Sequence, residues 1–175
     1  GLVPRASATA TRAMWDALAV ALLNERGFKE EDFALFHPGG SLGKKLLLRV
    51  EDLMHTGDQI PSVIQGTLLR EALFEITSKK LGVTGVVDAS GQLVGVFTDG
   101  DLRRVMEKGL DSLQLPIEQV MTRSPKRILR RNLAAKALKI MESHSITSLF
   151  VFADEDGLVP VGIVHLHDLL KSGVV

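Results

Sequence analysis

The chain has 175 residues, 45% of them hydrophobic, with 21 Lys and Arg balanced by 21 Asp and Glu. That size buries one or two small cores, and the balance leaves no field to draw the chain to nucleic acid or an anionic membrane. With no cysteine there is neither a disulfide framework nor a thiolate zinc site, charges break every apolar run short of the ~20 residues of a membrane span, and no signal peptide is visible, so a cytoplasmic protein is expected.

In chain order, Leu2-Val3-Pro4-Arg5-Ala6-Ser7 resembles the remnant of a protease-cleavable expression tag, and residues 1–7 are set aside on that expectation. Met14, Trp15, Leu18, Leu22 and Leu23 recur at helical spacing ahead of Gly27, which predicts an amphipathic helix over 11–26. One helix cannot bury its own stripe, so its cover is either the rest of the chain or a domain of a longer parent. A short helical turn over 29–36 leads into a loop, His37-Pro38-Gly39-Gly40-Ser41-Leu42-Gly43. The loop fails as a phosphate loop, because Pro38 and Lys45 occupy the required glycine and Ser/Thr positions. A strand near 60–64 precedes Thr67, the expected N-cap of a helix carrying Leu68, Leu69, Ala72, Leu73 and Ile76. Strands over 83–87 and 93–98 flank the turn Asp88-Ala89-Ser90-Gly91, and a helix from 101 to 108 stops at Gly109. Pro116 breaks any helix in the connection. The order then repeats: a strand near 127–129, Asn132 capping a helix with Leu133, Ala137, Leu138 and Met141, strands at 146–152 and 161–164, and a helix ending at Gly173.

The repetition extends to residues. Val50-Glu51-Asp52-Leu53-Met54 recurs as Ile117-Glu118-Gln119-Val120-Met121, and Gly95-Val96-Phe97 with Asp101-Leu102 recurs as Gly162-Ile163-Val164 with Asp168-Leu169, both 67 positions on. Between them Ala72-Leu73 matches Ala137-Leu138 at 65, and Val83-Thr84 matches Ile146-Thr147 at 63. Each unit reads β-α-β-β-α, the class is α+β, and tandem units of this kind pair to cover their apolar faces. A pair related by a pseudo-two-fold axis, preceded by an N-terminal helical segment, is therefore expected. The cleft between twins is the natural ligand site.

Two units that open on a hydrophobic-Met segment and close on a Gly-hydrophobic strand running into an Asp-initiated helix resemble a pair of cystathionine-β-synthase-type (CBS) modules, here 50–112 and 113–175. The run from His37 to Leu47 together with Phe97-Thr98-Asp99-Gly100-Asp101-Leu102-Arg103-Arg104 resembles the arabinose-5-phosphate isomerase family, in which a sugar-isomerase (SIS) domain precedes the CBS pair. The resemblance implies that 8–49 is the end of a SIS domain and its linker, and that His37 holds a family active-site position. Aldose–ketose isomerisation needs an acid/base pair and phosphate-holding groups. One loop histidine does not supply them, so this stretch alone is expected to be inactive.

Thr98-x-x-Asp101 has two readings. As a capping box it closes the start of a helix; by resemblance to CBS modules it binds the ribose hydroxyls of a nucleotide, a carboxylate accepting two hydrogen bonds. In the second repeat His165 stands where Thr or Ser is expected, followed by His167 and Asp168, so a second equivalent ribose site is doubtful. A metal on His165 and His167 is the weaker alternative, for want of a third distant ligand, and no metal is assigned. His55 and His144 read as surface residues. Between 103 and 131 eight Lys and Arg face three acids, which is either a solvated basic face or a source of anion partners, and no aromatic residues interleave with them for base stacking. The expected ligand contacts are Thr84, Thr98, Asp101, Thr147, His165 and Asp168, with Arg103, Lys126 and Arg127 as anion partners. No cofactor is required. The expected partners are a nucleotide-type effector, for which pathway logic suggests CMP-Kdo, the parent's own SIS domain, and a second copy forming a dimer through the CBS modules within a higher oligomer. The alternative is a ligand-free module that mediates oligomerisation.

Overall fold

The computed structural model describes residues 5–25, 47–107 and 109–174; the Gly27 cap, the 29–36 turn and the 37–43 loop with His37 lie outside them. The chain divides into two units, 1–47 and 48–175. In the first, α1 spans Arg5–Glu25, so it begins inside the stretch set aside as a tag remnant. Met14, Trp15, Leu18 and Leu22 on its apolar stripe are all exposed. No helix among the described residues is long and apolar enough to cross a membrane.

The second unit holds both repeats. The first runs β1 Ser62–Ile64, α2 Leu69–Lys79, β2 Val83–Val87, β3 Leu93–Thr98 and α3 Asp99–Met106. After the short strand β4, Thr122–Arg123, the second runs β5 Arg127–Leu129, α4 Ala134–His144, β6 Ser148–Phe152, β7 Gly162–His165 and α5 Leu166–Ser172. The sheets are ordered β1-β2-β3-β4 and β5-β6-β7. In each the first pair is parallel, joined by a crossover helix, and the next is an antiparallel hairpin. Helices α2 and α4 bury Leu69, Ala72 and Ile76, and Ala134, Ala137 and Met141, at the i, i+3, i+7 spacing of one helix face.

The leading segment of each repeat packs on the other repeat. Val50 lies in the second repeat's core with Ile128, Ala134, Ala137 and Val164, whereas Ile117 and Met121 lie in the first repeat's core with Leu69, Ala72, Val86 and Phe97. The backbone repeats the exchange: Val50 N–H donates to Asn132 O and Ile117 N–H to Thr67 O, both at 2.9 Å, while Ala134 N–H donates to Leu48 O (2.8 Å) and Leu69 N–H to Leu115 O (2.9 Å). Each bond has its twin, which is the pseudo-two-fold relation expected. It also corrects two caps. Thr67 and Asn132 do not cap α2 and α4; the N-caps are Leu68 and Leu133, neither with a side-chain cap bond. A carbonyl from the opposite leading segment satisfies the first helical N–H instead, so no polar cap is needed.

Register corrects the internal alignment. Ser62 pairs with Gly85 in the first repeat and Arg127 with Phe150 in the second, so β1 through β2 align at an offset of 65 rather than drifting to 63. Val83 is thus the twin of Ser148, and Thr147 the twin of Gly82. The extra residues of the second copy sit in the β6–β7 connection. Val83, Phe150, Phe152 and Ile163 form a third cluster where the repeats meet.

Candidate functional site

A cleft of about 780 Å³ opens where β2 and β6 begin and β3 and β7 end, a volume within the range of small-molecule sites. On the first repeat's side Thr98 ends β3 and caps α3. Its hydroxyl accepts from the Asp101 N–H (3.2 Å) and donates to Asp101 Oδ2 (2.7 Å), and Oδ2 also accepts from the Thr98 N–H (2.9 Å). Asp101 Oδ1 takes the Arg104 guanidinium and the Thr122 hydroxyl, the latter at 3.2 Å. The capping-box reading is therefore present in full, and the same buried carboxylate lines the cleft. Lys80 and Lys126 line it too, and neither makes an ion pair among the described residues. Lys80 ends α2 in the left-handed region (φ 60), the conformation its twin Ser145 adopts at the end of α4 (φ 53). Two cations with no ion pair among the described residues, beside a cleft of this size, suit an anionic ligand.

On the second repeat's side His165 ends β7 and caps α5, its Nδ1 accepting from the His167 N–H at 3.1 Å. An acceptor Nδ1 places the proton of the neutral ring on Nε2. Burial holds the His165 pKa below its usual 6.5; Asp168 opposes that shift, and His167 and His55 add to it. Asp168 is not among the residues lining the cleft: its Oδ2 lies 2.8 Å from His55 Nε2. His55, expected at the surface, is instead part-buried in this pair. Among the described residues no group of three His, Asp or Glu could hold a metal.

Residues 50–108 and 117–174 match the CBS domain family. The chain belongs to it. Over its full 175 residues the CBS pair with its N-terminal segment is 57% identical to the arabinose 5-phosphate isomerase KdsD of Salmonella typhimurium and 56% identical to that of Yersinia pestis. It spans about half the length of these curated relatives, 52% in each. Residues 1–7, set aside above as a tag remnant, fall inside the matched stretch. The CBS-domain protein ATU1752 of Agrobacterium tumefaciens superposes with a TM-score of 0.63 at 26% identity, over 71% of this chain and 92% of that one. CBSX2, solved in complex with AMP, superposes at 0.62 with 24% identity, over 73% and 96%.

Of the residues singled out in the sequence, the CBS pair gathers Thr98, Asp101, Thr147, His165 and Lys126 around the cleft. Thr84 is fully buried inside β2, its hydroxyl 3.4 Å from the Gly85 carbonyl. Arg103 is exposed and outside the cleft, which takes its neighbour Arg104 instead. Arg127 stacks on the Phe152 ring, 3.9 Å from its centroid, and donates to the Gly157 carbonyl. Lys80 and Thr122 were missed, and Arg104, part of the basic run, was not chosen as a contact. Arg104 stands three residues after Asp101 on a helix, a spacing that brings side chains together, and this was the signal that could have found it.

Proposed function

We propose that this CBS pair binds a nucleotide or sugar-nucleotide in the cleft and thereby regulates an arabinose 5-phosphate isomerase of which it is the C-terminal part. The observation that carries the reading is the Thr98–Asp101 carboxylate beside two lysines without an ion pair among the described residues, in one cleft of nucleotide size. One ribose hydroxyl displaces the long Thr122 bond at Asp101 Oδ1 and its neighbour donates to the Thr98 hydroxyl, while Lys80 and Lys126 meet phosphate or carboxylate. CMP-Kdo, the activated sugar of the Kdo and lipopolysaccharide pathway that such an isomerase would feed, has a ribose, a phosphate and a carboxylate for these groups. AMP in CBSX2, a related fold, supports the ligand class, and the names and high identity of the KdsD relatives support the parent activity. In that parent His37 holds an active-site position and the SIS domain is the regulated partner. Regulation requires the ligand to bind two arrangements of the parent with different affinity.

The rival is a structural module that joins copies of the isomerase. Phe74 on α2, 76% exposed, and Ile64, 61% exposed, favour it. Thermal unfolding with cytidine and adenine nucleotides and CMP-Kdo separates the two. Ligand at about 100 times its dissociation constant stabilises by roughly 2.7 kcal/mol. A midpoint that no ligand moves, in a chain that sediments as a dimer, leaves the structural role.

A further inference from the structure

The pseudo-two-fold axis equates Thr98, Asp101 and Thr122 with His165, Asp168 and His55, each 67 positions away. The equivalence is structural: the Val96–Thr122 pairing of β3 with β4 has its twin in the bridge between His55 and Ile163. In both halves the acid at the start of the last helix is met by a side chain from the other repeat's leading segment. What meets it differs. In the first half it is a threonine hydroxyl at 3.2 Å, which turns away by one rotation about χ1. In the second it is the part-buried imidazole of His55 at 2.8 Å, and Asp168 drops out of the cleft lining that its twin Asp101 belongs to. The residue that still lines the cleft there is His165, whose Nδ1 is occupied by the His167 N–H. Its remaining ring nitrogen is a donor and has no lone pair to offer a hydroxyl hydrogen.

We infer that the two halves of the cleft read opposite chemistry: a vicinal diol at Thr98 and Asp101, and an acceptor oxygen, of a phosphate, carboxylate or carbonyl, at His165, with His55 closing the second diol site. One ligand then binds per chain, in one direction. This rests on the proposed nucleotide-type ligand but adds its stoichiometry and orientation. The groups around His165 are Asp168 and His167 on its own helix, His55 from the opposite leading segment, and Lys80, Asp99, Asp101, Arg104, Lys126 and His144 along the cleft.

Calorimetric titration of the whole chain with AMP and CMP is expected to give one equivalent, with affinity about tenfold weaker for the 2′-deoxy forms. The double variant His55→Thr with His165→Thr rebuilds the first half's hydroxyls around Asp168 and is expected to bind two equivalents. Two equivalents in the unaltered chain, or one in a double variant that still melts cooperatively, overturns the inference. A ligand-independent check is the nitrogen-15 spectrum of the imidazoles at pH 8: His165 must be the Nε2–H tautomer, and an Nδ1–H signal there also overturns it. Failure of every nucleotide to bind the unaltered chain counts against the proposed function, and the His165 tautomer alone then decides this inference.

Discussion

Asp101 does two things with one carboxylate. It completes the box that starts α3 and it lines the cleft, so a capping role and a ligand role are compatible here. Asp101→Ala is expected to lower stability by about 0.5–2 kcal/mol, the range for losing an N-terminal capping interaction, read as a reduced urea midpoint at unchanged slope. Its exposed partner Arg104 adds little to that figure. Asp101→Asn keeps an acceptor for the Thr98 N–H, so it is the better variant for binding assays. His165 carries a pH dependence whose sign follows from burial. Because the folded chain holds its pKa below 6.5, the unfolded chain takes up the proton first as pH falls. The stabilisation is complete above about 6.5 and is lost as pH drops from there toward the folded value. Protonation also removes the Nδ1 acceptor from the start of α5. His165→Asn keeps a capping oxygen without the titration, so its melting midpoint is expected to fall less than that of the unaltered chain between pH 7.5 and 5.5.

At the level of elements, each Gly-hydrophobic strand is glycine because the opposite leading segment presses on it. A Cβ at Gly162 would lie 2.7 Å from Met54 Sδ and 2.9 Å from the His55 carbonyl, and one at Gly95 would meet Met121 and sit 3.0 Å from the Thr122 carbonyl. A methionine can move aside but a paired carbonyl cannot, so Gly95→Ala and Gly162→Ala are each expected to cost about 1–3 kcal/mol. Gly100→Ala is the contrast: its Cβ finds only ordinary contacts at 3.6 Å and beyond, and alanine in place of a helical glycine is expected to stabilise by up to about 1 kcal/mol. Urea denaturation of the three variants gives both signs. The elements themselves were largely legible. Strands over 83–87 and 93–98 and the Gly173 stop coincide with the structure because β-branched runs and glycine punctuation are local signals. The register was not. A slip of two residues keeps every side chain on its own face, so the hydrophobic alternation could not reveal that Val83-Thr84 had been matched two positions out, and Thr84 was paired with Thr147 although only Thr147 reaches the cleft.

For the molecule as a whole, the duplication was visible in the sequence but the exchange was not, because a repeat pattern records that two faces must be covered without recording which copy covers which. The boundary at 112/113 cuts between sequence repeats, yet each half carries the leading segment of the other's core. Residues 1–112 take Val50, Leu53 and Met54 away from the second core, and residues 113–175 take Ile117 and Met121 from the first. Fully burying a side chain such as Val50 or Ile117 contributes about 1.5–3 kcal/mol, and the part-buried Leu53 and Met54 contribute less, while a whole domain is stable by only about 5–15 kcal/mol. Losing two or three of them, together with the backbone bonds at Thr67 and Asn132, therefore removes most of what a half of this size can retain. Expressed separately, 1–112 and 113–175 are each expected to lack a cooperative thermal transition, and mixing them at equal concentration is expected to restore one whose midpoint rises with concentration, as association requires. Cooperative melting of either half alone would show that a single repeat closes its own core, and the exchanged segments would then add affinity between modules without being needed to fold them.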